Sequence, residues 1–157
     1  MAVLVEEFRH YVEQNRGWEL LWNDNSVPRK EAAAQNLFLG IVKHYCRAND
    51  IDVSREADIG RGPVDFKFSQ GFARRAVVEV KKADNTKFWN GLEKQLPTYM
   101  QAERVAVGYF LVVVFSDADA KRVQAIQGEV SRVSKKTGLR LKAVTVDARR
   151  PVSASKL

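Results

Sequence analysis

A single cysteine, Cys46, in a chain of 157 residues excludes a disulfide framework and equally excludes a cysteine-built zinc centre. Four prolines and nine glycines are too few for a collagen-like or low-complexity chain. The longest apolar run, Tyr109 to Phe115, falls far short of the roughly 20 residues that a spanning helix needs. The first residues lack the charged, apolar and small-residue order of a signal peptide, so a cytoplasmic location is the expectation. The two histidines, His10 and His44, stand in separate segments with no partner at ligand spacing. Gly60-Arg61-Gly62 lacks the strand-to-helix setting that a nucleotide-binding loop requires.

What is present is an ordinary globular composition, 45% hydrophobic and 29% charged, at the length of one compact domain. The charge is unbalanced: 26 Lys and Arg against 19 Asp and Glu give a formal net charge of +7. That excess favours a polyanionic partner such as nucleic acid.

Apolar spacing divides the chain into elements. Leu4, Phe8, Tyr11 and Val12 predict an amphipathic helix over 3–15, and Trp18, Leu20, Leu21 and Trp22 anchor a connector. Ser26 and Pro28 read as the cap and first turn of a second helix running to about Ala48, with Ala34, Leu37, Phe38, Ile41, Val42 and Tyr45 facing a core. Cys46 falls on that apolar side. Residues 51–57 predict a strand. Val64, Phe66 and Phe68 then alternate with Asp65 and Lys67, a turn follows at 69–71, and 76–81 forms the return strand of a hairpin. Phe88, Leu92, Leu96 and Met100 restore a helical period that Pro97 should kink or restart. Residues 109–115 predict a buried strand, 118–136 one helix and 139–146 a last strand, with fraying from Arg149. The expectation is one α/β domain over 1–157, a sheet flanked by helices.

Chemistry enters on the hairpin. Alternation sends Val78 and Val80 to one face of their strand and Glu79 and Lys81 to the other, and the hairpin brings Asp65 within reach of Glu79. Hydrolysis of a phosphodiester needs a hard cation on oxygen ligands, which Asp65, Glu79 and the Val80 carbonyl can supply, with Lys81 to position water or offset phosphate charge. Glu31 lies seven residues before Phe38 and so on nearly the same helical stripe, aimed at the sheet rather than at solvent. It is read as supporting the ligands or serving a second metal; the plainer reading is an acid placed at a helix N-terminus.

Gly60-Arg61-Gly62-Pro63-Val64-Asp65 followed by Val78-Glu79-Val80-Lys81 resembles the active-site signature of the PD-(D/E)XK nuclease superfamily, over roughly residues 28–115. The element order is similar too. Val64 rather than proline precedes Asp65, with Pro63 displaced by one position. The resemblance implies a restriction-endonuclease-like three-layer core over 26–147, preceded by a helix and connector at 1–25 and followed by a tail at 148–157. It implies that Asp65 and Glu79 bind Mg²⁺, with Mn²⁺ able to substitute, that Lys81 assists the attacking water, and that Glu31 is the family's helix carboxylate. Gln95 and Tyr99, one helical turn apart and on the stripe of Phe88 and Leu92, resemble the Gln-x-x-x-Tyr element of the RecB-like branch, which contacts the nucleic-acid backbone. Among Arg29, Lys30, Lys67, Arg74, Arg75, Lys82, Lys87 and Lys94, the preferred phosphate contacts are Lys82 and Lys87; Lys135, Lys136, Arg140 and Lys142 read as ordinary surface.

The expected activity is therefore Mg²⁺-dependent endonucleolytic cleavage of DNA. The alternatives are a non-catalytic or partner-activated nucleic-acid-binding module of the same fold, and a Holliday junction resolvase or RNA nuclease. A homodimer, or an associated or fused recognition domain, is expected to supply specificity.

Overall fold

The computed structural model describes residues 1–57 and 64–151. Helix α1 (Ala2–Gln14) and a 3-10 turn (Gly17–Leu21) lead to the long helix α2 (Glu31–Ala48). Strands β1 (Asp52–Ala57), β2 (Val64–Ser69) and β3 (Arg75–Lys82) follow. A broken helix comes next: α3 (Phe88–Asn90), a π turn (Gly91–Gln95) and α4 (Leu96–Ala102). Strand β4 (Val107–Val114), helices α5 (Asp117–Arg122) and α6 (Ile126–Thr137), and strand β5 (Arg140–Asp147) complete the order.

The five strands make one mixed sheet in sequential order β1-β2-β3-β4-β5. β1–β2 and β2–β3 pair antiparallel, whereas β3–β4 and β4–β5 pair parallel. Parallel neighbours need a crossover, and the broken helix and α5–α6 provide the two. The chain is thus an α/β protein with a mixed sheet flanked by helices, as its sequence predicts. β4 is apolar throughout because both its faces are covered. Phe8 of α1 and Phe38 and Val42 of α2 pack against Phe66, Val78, Val80 and Leu111 on one face. Phe88, Leu92 and Leu96, with Ile126 and Val130 of α6, pack on Val77, Phe110 and Val112 on the other. Cys46 is buried in the first of these cores.

Several sequence expectations are corrected. α2 starts at Glu31, not at Ser26–Pro28, because Asn23 accepts the Val27 amide at 2.9 Å and Trp22 bridges Pro28, which holds this segment as a separate turn. Ser26 instead accepts a hydrogen bond from Arg150 at 2.6 Å. The buried stripe of α2 repeats every four residues, Ala34, Phe38, Val42 and Cys46, and leaves Tyr45 exposed. The single helix expected over 118–136 is two, since a turn at Val123–Ala125 with ψ near 0° keeps both Val123 and Ile126 against the sheet. Pro97 does restart its helix, at the first turn of α4. Fraying does not begin at Arg149, whose guanidinium is held by Asp147 and Asp117; the tail beyond Pro151 lies outside the described residues.

Candidate active site

Register decides which carboxylates meet. Phe66 stands opposite Val78, which carries Asp65 to Glu79 on the neighbouring strand. Their contact is mutual: the Asp65 amide faces Glu79 Oε2 at 3.4 Å, and the Val80 amide donates to Asp65 Oδ2 at 2.7 Å. The other oxygen of Asp65, Oδ1, accepts from Gln35 Nε2 at 2.8 Å, and Gln35 Oε1 in turn faces Arg55 of β1 at 3.5 Å. A helix side chain thus fixes the orientation of a strand carboxylate.

Lys81 is the cation of the cluster. Its Nζ lies 2.7 Å from Glu79 Oε1 and 3.2 Å from Glu31 Oε1, so it bridges a carboxylate of the sheet to one of α2. Glu31 occupies the first turn of α2, where the helix dipole favours an anion. Its second oxygen accepts from the Lys82 amide at 2.9 Å and from Asn85 Nδ2 at 3.0 Å. Asn85 is itself tied down, with Oδ1 accepting from the Lys87 amide and its carbonyl accepting from Arg122. The aliphatic stem of Lys81 lies over Gly91 in the π turn, where an added Cβ would come within 3.4 Å of Lys81 Cε. π turns occur preferentially at functional sites, and this one also has a packing reason. Phe88, Leu92, Leu96 and Met100 are spaced by four, and such a row drifts by about 40° per step in a straight α-helix, a drift that the wider turn reduces.

Three carboxylates share one ammonium here, and burial makes that imbalance costly. Glu79 is only 3% exposed, and burial together with the neighbouring Asp65 charge pushes its carboxyl up to about 7. Burial also raises Asp65, against the opposing pull of the Val80 amide and Lys81. Lys81 moves up as well, because Glu79, Asp65 and Glu31 together outweigh the desolvation of its ammonium.

The remaining predicted residues divide. Tyr99 is buried, and its hydroxyl finds no hydrogen-bond partner among the described residues. Gln95, expected to face the sheet beside it, is exposed, because the π turn between them and Phe88 rotates the stripe. Lys87 is exposed beside Asn85, whereas Lys82 is largely covered, paired with Asp84 at 3.3 Å and lying over Phe115. Lys67 is spent on Glu103, and Arg74 and Arg75 flank the turn at the other end of β3. Gly60–Pro63 of the motif lies outside the described residues. Sequence reasoning missed Gln35, Asn85 and Arg122. Gln35 carried a signal, four residues after Glu31 and hence on its face; Asn85 and Arg122 carried none.

Residues 1–117 match the model of a domain of unknown function, DUF8371. The chain belongs to this family. The DUF8371 match contains Glu31, Gln35, Asp65, Glu79, Lys81, Asn85, Gln95 and Tyr99, and it ends at the first residue of α5, before α6 and β5. No curated protein and no solved structure matches the chain.

Proposed function

We propose that this DUF8371 protein is a divalent-metal-dependent nuclease with a restriction-endonuclease-like core, acting as an endonuclease on DNA. The observation that carries the reading is the contact of Asp65 with Glu79 across adjacent strands, with Lys81 bonded to Glu79 and Glu31 closing the cluster from α2. The donor set fits a hard cation. Asp65 and Glu79 offer carboxylate oxygens with spare lone pairs, and a cation would offset the burial and the neighbouring Asp65 charge that together lift Glu79. Asp65 and Glu79 would hold the ion, with the Val80 carbonyl, water and substrate oxygens completing its shell.

Bound there, Mg²⁺ or Mn²⁺ would polarise the phosphate and lower the pKa of its water. The chain's own residues do the rest. Of the two carboxylates that would hold the ion, Asp65 is left little freedom to turn by the Val80 amide and Gln35. Lys81 carries a permanent charge next to the reacting phosphate and offsets the charge that builds on it. Lys87, close to Asn85 in sequence, Gln95, whose Oε1 lies beside Gly91, and Lys82 once released from Asp84, supply backbone contacts. Tyr99, with Glu103 and Arg75 as its charged neighbours, lies toward the other end of β3.

The test incubates the protein with plasmid, linear duplex, single strands, four-way junctions and RNA, with Mg²⁺, Mn²⁺ or EDTA. Metal-dependent cutting that is lost in Asp65→Asn and Lys81→Ala supports the reading, and the preferred substrate separates endonuclease, resolvase and ribonuclease. Binding with no cutting under any condition would replace it with a non-catalytic or partner-activated binding module.

A further inference from the structure

Glu31 stands close enough to Lys81 to be counted with the metal-binding carboxylates, yet one of its oxygens is full and the other is turned to Lys81. Oε2 accepts two hydrogen bonds, from the Lys82 amide at 2.9 Å and Asn85 Nδ2 at 3.0 Å. A carboxylate oxygen has two lone pairs, so Oε2 has none left for a cation. Oε1 faces the Lys81 ammonium at 3.2 Å. Swinging Glu31 toward Asp65 and Glu79 would strand the Lys82 amide and the Asn85 amide in a half-buried place, and an unmet donor there is costly. Asn85 cannot follow, because its own carbonyls hold the Lys87 amide and Arg122.

Lys81 has the opposite problem. Its shorter contact is to Glu79, at 2.7 Å, on the carboxylate that a cation would occupy. A divalent ion on Glu79 repels the ammonium and weakens that hold. Glu31 is then the remaining acidic contact that keeps Lys81 at the cluster, with Gly91 beneath its stem.

We infer that Glu31 is a positioning residue for Lys81 and not a metal ligand, and that the site takes one divalent cation, on Asp65 and Glu79. The inference rests on the metal-dependent nuclease reading and assigns the division of labour within it. Asn85, by holding Glu31, belongs to the same positioning unit.

The probe is Mn²⁺ alone, added to the full chain without substrate and followed by titration calorimetry and electron paramagnetic resonance. The wild type is expected to bind one Mn²⁺ per chain. Glu31→Gln should keep that stoichiometry and bind within about threefold of wild type, whereas Asp65→Asn should weaken binding about 100-fold or more. In cleavage assays at saturating Mn²⁺, Glu31→Gln should lower kcat about 10- to 100-fold with little change in KM. Should Glu31→Gln fail to fold, Asn85→Ala leaves the carboxylate in place and should show the same split between metal binding and kcat. Two Mn²⁺ per wild-type chain, or a loss of affinity in Glu31→Gln as large as that in Asp65→Asn, overturns the inference while the nuclease reading stands. No Mn²⁺ binding in any form overturns both.

Discussion

Glu79 is an almost wholly buried carboxyl on a central strand, bonded to one lysine and crowded by one aspartate. Its folded value of about 7 lies above the 4.5 of a free glutamate, so the folded chain holds a proton that the unfolded chain releases. Its contribution to stability is therefore complete below about 4.5 and is lost as pH rises through about 7. In EDTA, urea unfolding should show a loss on the order of 2–3 kcal/mol between pH 5 and pH 8, given ~1.4 kcal/mol per pKa unit. Glu79→Gln should flatten that slope, and Mg²⁺ should restore stability at pH 8; a metal-free profile that rises over this range would contradict the crowding. Gln35 gives a second prediction. Gln35→Ala removes the donor to Asp65 Oδ1 and should weaken Mn²⁺ binding about 10-fold or more, with the fold intact by circular dichroism. Residues of the two kinds differed in how readable they were. Asp65, Glu79 and Lys81 were legible because a strand alternates and a polar residue on an apolar strand stands out. Gln35 carried only its place on the face of Glu31 and Asn85 carried nothing, since a glutamine on a helix and an asparagine in a turn look like solvated surface until their acceptors are placed in space.

Among the elements, α2, β2 and β3 carry the cluster, and the broken helix over 88–102 backs it beneath Lys81. Its apolar row and its proline announced a helix with an interruption, and α4 does restart around Pro97. The π turn itself was hidden, because one residue's worth of extra turn leaves the apolar spacing almost unchanged while it moves Gln95 to the surface. The split between α5 and α6 was hidden for a related reason: Val123 and Ile126 keep helical spacing across the turn that separates them. The π turn also brings Gly91 under Lys81, where a Cβ would sit 3.3 Å from Phe110 and 3.4 Å from Lys81 Cε. Gly91→Val should therefore cost about 1–3 kcal/mol from overpacking and also lower cleavage by displacing Lys81. Gly128, on α6 with open space around its Cα, is the control: Gly128→Ala should raise stability by about 0.5–1 kcal/mol and leave cleavage unchanged. Equal effects of the two substitutions on cleavage would show that Gly91 matters only to the fold.

For the whole molecule, a net charge of +7 predicts a polyanionic partner but says nothing of where that partner lies. The fold sorts the charges. Lys67 pairs with Glu103, Arg132 with Glu129 and Glu93, and Arg149 with Asp147 and Asp117, so these cations are engaged within the fold while the net charge is unchanged. Arg29 and Lys30 stand exposed just before Glu31, and Lys87 stands exposed two residues from Asn85, so both groups adjoin the residues that hold Lys81. Lys135 and Lys136 belong to the last turn of α6, beyond the family match. If a nucleic-acid backbone lies across the cluster, about four phosphate contacts would give a salt slope near −4, and duplex binding in EDTA should weaken roughly 100-fold between 50 and 200 mM salt. Lys87→Ala should reduce that slope by about one unit, and the pair Lys135→Ala, Lys136→Ala should leave it unchanged. Fluorescence anisotropy on a labelled duplex separates the cases. A slope moved by the α6 pair and not by Lys87 would place the bound strand at the C-terminal end of α6 and away from Lys87, contrary to cleavage at Asp65 and Glu79.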